Sequence, residues 1–130
     1  MIDCLLCVAA LGLHVASAHL DVAQGTPPLS GINPGVYVEF KRGAVLGVYH
    51  NSLGRRSAYA AYKFNLARNE DAEFGVALGG VTGYDWRVSP FVLPTLRLAL
   101  GPRYGARIDY VPKTSFTRAH VFHLSLEYKF

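Results

Sequence analysis

Large apolar residues occupy every second position from Phe122 to Phe130. Phe122, Leu124, Leu126, Tyr128 and Phe130 share one side of an extended chain. His123, Ser125, Glu127 and Lys129 share the other, because side chains alternate across a β-strand. The same period of two recurs from Pro34 onward, punctuated by turn residues. It predicts strands at 35–40, 43–50, 56–64, 73–81, 90–100, 103–111 and 120–130, with turns at 41–42, 51–55, 65–72, 83–89, 101–102 and 112–119. No helical period competes after Ala18. The pattern predicts an all-β fold, an antiparallel up-and-down meander of seven to eight strands forming a small β-barrel over residues 34–130.

One face of these strands is uncharged, with Val36, Val38, Leu46, Val48, Tyr62, Phe64, Leu96, Leu98, Ile108 and the terminal set. The opposite face mixes Gly, Ala, Ser and Tyr with Glu39, Lys63, Arg97, Arg107, Asp109, His123, Glu127 and Lys129. In a soluble barrel the apolar face would be the core; in a membrane barrel it faces lipid and the polar face lines the lumen. A solvent face is ordinarily thick with Lys, Glu and Thr, whereas small residues and tyrosines with pairable charges suit a narrow lumen. That composition favours the membrane barrel, with Tyr84, Trp86, Phe91, Tyr104 and Tyr110 as an interfacial aromatic girdle. Single-chain bacterial barrels use an even number of strands, at least about eight, so residues 20–24 are expected to supply the eighth. Pro94 inside the fifth strand demands an edge or a bulge.

Residues 1–18 read as a signal peptide, the alternative being a buried N-terminal strand or helix. Residues 4–15 are almost uninterruptedly apolar, and Ala16-Ser17-Ala18 is a small-x-small cleavage pattern, although Asp3 stands where a cation is usual. Residues 19–33, with Gly25, Pro27, Pro28 and Gly31, read as a lead-in arm. Both cysteines, Cys4 and Cys7, lie in the leader, so a processed chain would carry no thiol. A length of 130 residues with 51% apolar content suits one domain. No later apolar run reaches the roughly 18 residues of a membrane helix, so any membrane contact there would be made through strands. The net charge of +4 is scattered, with adjacent pairs only at Lys41-Arg42 and Arg55-Arg56. This is no basic stripe for nucleic acid.

The densest polar cluster runs from Tyr49 to Tyr59. Asn51, Ser52 and Gly54 are good turn formers, which predicts a hairpin tip. With Asn33-Pro34-Gly35, Glu39 and Val92-Leu93-Pro94, the pattern Tyr49-x-Asn51-Ser52-x-x-Arg55-x-Ser57-x-Tyr59 resembles a family of small uncharacterised phage and proteobacterial proteins. That resemblance implies one compact β domain, with Tyr49, Asn51, Arg55, Ser57 and Tyr59 as candidate binding residues. The terminal aromatic strand resembles the closing strand of bacterial outer-membrane barrels. His50-x-Ser52 is similar to an element of the lipid A deacylases, small barrels with a Ser–His–acid constellation, which implies His50 as base and Ser52 as nucleophile. The strand after Ser52 holds no acid, and Glu39 lies in the opposite register from His50. His19 with His120 or His123 is the one histidine set to weigh for a metal; the latter two, three apart on a strand, face opposite ways. No metal and no cofactor is expected.

The expected function is therefore a small secreted barrel of the outer membrane with a structural or interaction role, presenting loops 51–55 and 83–89. Its expected partners are outer-membrane lipid or lipopolysaccharide, or another envelope protein, and not nucleic acid. The alternatives are a lipid-ester hydrolase using Ser52 and His50, and a soluble periplasmic β-barrel binding protein.

Overall fold

The computed structural model describes residues 7–26, 28–84, 86–114 and 117–130. Eight strands follow one another: β1 Val8–Leu20, β2 Ile32–Phe40, β3 Ala44–His50, β4 Arg56–Arg68, β5 Ala72–Val81, β6 Ser89–Ala99, β7 Tyr104–Val111 and β8 His120–Lys129. Each pairs antiparallel with the next, and β8 pairs with β1, so the sheet closes on itself in sequence order. Closure leaves no unpaired edge.

The eighth strand is not where the sequence placed it. Residues 20–24 do not supply it; Val8–Leu20 does, bonded to both β2 and β8. The expected boundaries at 18, 19 and 34 therefore fall inside the wall or its first connection, and the barrel begins at Val8 instead of Pro34. A cut after Ala18 would remove Val8 to Ala18, eleven of the thirteen residues of β1. The physical reason is the size of its inward residues. Leu11, Leu13 and Val15 face out, but Ala10 and Gly12 face in, so alternation is muted and reads as a continuous apolar run. A register shift between His14 and Ala16 then changes the parity of the strand, bringing Ser17 and His19 to the inner face with His14.

The division into two faces follows the sequence pattern, with the apolar face outermost. Leu46 is 49% exposed, Val92 61% and Phe122 43%, whereas Arg107 is 4% and Glu127 3% exposed. Two of the girdle residues are corrected. Tyr84 turns inward to bond Tyr49, and Phe91 packs edge-on near Tyr59; Trp86 and Tyr104 are outside and exposed.

Small inward residues make the narrow lumen possible. The Tyr37 ring lies against Gly12, and the Tyr59 ring against Gly47, each where a Cβ would stand. Pro94 is accommodated without an edge strand. The β6–β7 ladder starts only at Thr95, so its missing N–H falls outside that pairing. One end of the barrel has tight connections, such as 41–43, where Gly43 adopts φ 103° against the Lys63 carbonyl. The other end carries the longer connections 21–31, 51–55, 82–88 and 112–119.

Candidate functional site

The inner face holds the molecule's chemistry, in two layers. Towards the tight-turn end, Arg97 on β6 is the hub. Its guanidinium donates to Glu39 Oε2 at 2.7 Å, to Glu73 Oε1 at 3.2 Å and to Glu127 Oε2 at 2.8 Å, and its Nε donates to Glu127 Oε1. Lys63 Nζ lies 2.7 Å from Glu39 and 3.2 Å from Glu73. Tyr37 donates its hydroxyl to Glu127 Oε2 at 2.7 Å. Strands β2, β4, β5, β6 and β8 are thus joined across the lumen by charge. Burial of these ions is offset only because each finds several partners. A hollow of about 240 Å³ opens on this layer, lined by Glu39, Lys41, Lys63, Asn65, Glu73 and Arg97 among others.

Above it, Arg107 Nε donates to Asp109 at 2.8 Å and the guanidinium sits 5.0 Å from the Tyr37 ring centroid. Its Nη1 finds no hydrogen-bond partner among the described residues.

The second layer is neutral and ring-rich. His14 Nδ1 lies 2.8 Å from His123 Nε2, and its Nε2 lies 2.7 Å from the Tyr59 hydroxyl. Ser125 stands 3.2 Å from the same Nδ1. The rings of Tyr37, Tyr49, Tyr59 and His123 surround His14 at 4.8–5.6 Å. Tyr49 and Tyr84 share a bond of 2.7 Å that caps this layer. Burial pushes the Tyr84 phenol well above its ordinary value.

At the long-loop mouth, Asn51 is fully buried and organises the turn. Its Oδ1 accepts from the Leu53 and Arg55 amides, and its Nδ2 donates to Ser57 and to the Gly83 carbonyl at 2.9 Å. That last bond ties loop 51–55 to loop 82–88. Lys113 Nζ lies 3.0 Å from Asp21 Oδ2 and holds the Asp21 carboxyl below its ordinary value.

The sequence-based sets are rearranged by these positions. Glu39, Lys63, Arg97, Arg107, Asp109, His123 and Glu127 all face the lumen. Of the candidate binding residues, Tyr49, Asn51, Ser57 and Tyr59 are turned inward and only Arg55 is exposed, so they do not make one binding surface. His50 and Ser52 do not pair: alternation puts His50 on the outer wall, while Ser52 Oγ meets His19 Nε2 at 2.8 Å. No carboxylate hydrogen-bonds His19 among the described residues. His120 likewise faces away from His19, stacked on Tyr110 with a 2.7 Å bond to its hydroxyl, and the described residues contain no cluster of three or more metal-ligating groups.

Sequence reasoning missed His14, Glu73 and Asn33. His14 lay in the apparent leader, where a histidine within an apolar run was the available signal. Asn33 lay in the apparent arm; it is buried and donates to the His50 carbonyl at 3.1 Å.

No protein-family model matches the chain, and no curated protein matches it. Among solved structures it is similar to the de novo designed TMB2.3, determined by solution NMR. Identity is 15%, the match covers 99% of this chain and 98% of that one, and the TM-score is 0.58. At that identity the likeness speaks for the closed all-β barrel and nothing further.

Proposed function

We propose that this protein is a membrane-inserted β-barrel of the bacterial outer membrane with a structural or interaction role and no catalysis. The observation that carries this reading is sidedness. A closed wall turns leucines, valines and aromatics outward while Arg97, Arg107, Asp109 and Glu127 are buried inside. In water such a belt would be a large exposed apolar surface of the kind that drives association; in a bilayer it is the matched face, with every strand bonded to two neighbours. The partner is outer-membrane lipid or lipopolysaccharide, with the tied loops 51–55 and 82–88 as the face offered to another envelope protein.

Envelope fractionation followed by a heat-modifiability gel tests this. The folded protein is expected in the membrane fraction, migrating differently before and after boiling. Leu124→Arg on the outer wall is expected to cost about 2–4 kcal/mol of insertion free energy near mid-bilayer. Recovery in the aqueous fraction without detergent, with Leu124→Arg unaffected, supports instead the soluble periplasmic reading. A hydrolase reading is favoured by the Ser52–His19 bond alone. It requires acyl release that Ser52→Ala abolishes.

A further inference from the structure

His50 and Arg56 oppose one another across the β3–β4 ladder, and both project outward, in alternation with the buried Asn51 and Ser57. Neither side chain has a hydrogen-bond or ionic partner among the described residues, and Arg55 beside them is exposed as well. Lys113 at the same mouth, by contrast, is paired with Asp21. The two side chains stand side by side in this register with their donors unused. An anion between them would supply acceptors to both.

The wall below identifies what the anion is attached to. The next outward pairs down the ladder are Val48 with Ala58 and Leu46 with Ala60. Val36 and Ile32 on β2 extend the apolar surface sideways, with Ile32 73% exposed. The pair therefore stands at the upper border of the apolar belt, the depth of headgroup phosphates for a barrel of this kind. A guanidinium offers a fork of N–H donors matched to phosphate oxygens, and the imidazole adds one more donor. A free phosphate at so open a position would be held by screened contacts of little worth. A lipid phosphate is held also by its chains on the wall.

We propose that His50 and Arg56 clamp the phosphate of an anionic lipid headgroup whose acyl chains lie along Val48, Ala58, Leu46 and Ala60. The site depends on the membrane-barrel reading above. It accounts for a histidine that the lumen network leaves outside.

The test refolds three proteins into phosphatidylcholine vesicles with and without phosphatidylglycerol: wild type, the His50→Gln/Arg56→Gln double variant, and Arg103→Gln at the opposite rim. Insertion is checked first by heat modifiability, which both sets of substitutions, at exposed positions, are expected to preserve. Phosphatidylglycerol retained per barrel after detergent exchange is then counted by native mass spectrometry. Wild type and Arg103→Gln are expected to retain it over phosphatidylcholine, and the double variant to lose about tenfold of that preference, equivalent to about 1.4 kcal/mol. Insertion with equal preference in wild type and double variant overturns the clamp while leaving the barrel reading intact. An equal loss in Arg103→Gln also overturns it, as undirected charge attraction. Failure of all three to insert overturns both readings. Inorganic phosphate that shifts the His50 ring resonances in neutral micelles as strongly as phosphatidylglycerol overturns the assignment to lipid.

Discussion

The two layers of the lumen solve one packing problem in opposite ways. Near the tight-turn end, Lys63 and Arg97 face Glu39, Glu73 and Glu127, two cations against three carboxylates, with the Tyr37 hydroxyl donated to Glu127. Towards the long loops, His14, His123, Tyr49, Tyr59 and Tyr84 fill the same narrow space with rings that bond as neutral groups. The first layer is held by Coulomb attraction that repays desolvation only while the set is complete. The second is held by ring packing and single hydrogen bonds, so it tolerates losses one at a time. The difference predicts steep cooperativity below and graded behaviour above.

Removing the hub is the hardest test of that contrast. Arg97→Met leaves three carboxylates, two of them buried, facing one lysine, and is expected to cost about 3–5 kcal/mol, read as a lowered urea midpoint of the heat-modifiable form. A concerted Arg97→Met/Glu127→Gln change is expected to recover part of the loss; no recovery would mean the layer is not an electrostatic unit. In the upper layer, His14→Phe keeps the ring but strands the Tyr59 hydroxyl and His123 Nε2. About 1–3 kcal/mol is expected by the same measurement. A cost equal to that of Arg97→Met would erase the distinction between the layers. Tyr84→Phe removes only the bond to Tyr49 and should cost about 0.5–1.5 kcal/mol, with the two loops still tied through Asn51 and Gly83.

Much of this architecture was legible because a strand's parity is strict. From Phe122 to Lys129, and likewise on β2, β4 and β7, knowing which residues are large and apolar is enough to sort outside from inside. The inward charges other than Glu73 could be listed, but not who pairs with whom: Arg97 meets Glu39, 58 residues away, a partnership fixed by curvature and closure. β1 reads first as a leader and only second as a strand, for a different reason. Its inward side carries Ala10 and Gly12, the latter leaving room for Tyr37, so the residues that fit the interior are those that erase the alternation. At the hairpin tip, the motif around Asn51 was visible as turn chemistry. The exchange of His50 for His19 beside Ser52 was not, because it depends on the parity change within β1.

Glu39 sits on the second strand, while the arginine it neutralises arrives four strands later, on β6. Until the ribbon curls round and its two ends meet, Arg97 lacks that counter-ion from the opposite wall. Zipping the seam and quenching the stray charge are therefore a single event, which penalises half-rolled sheets and makes ring closure the committing step of assembly.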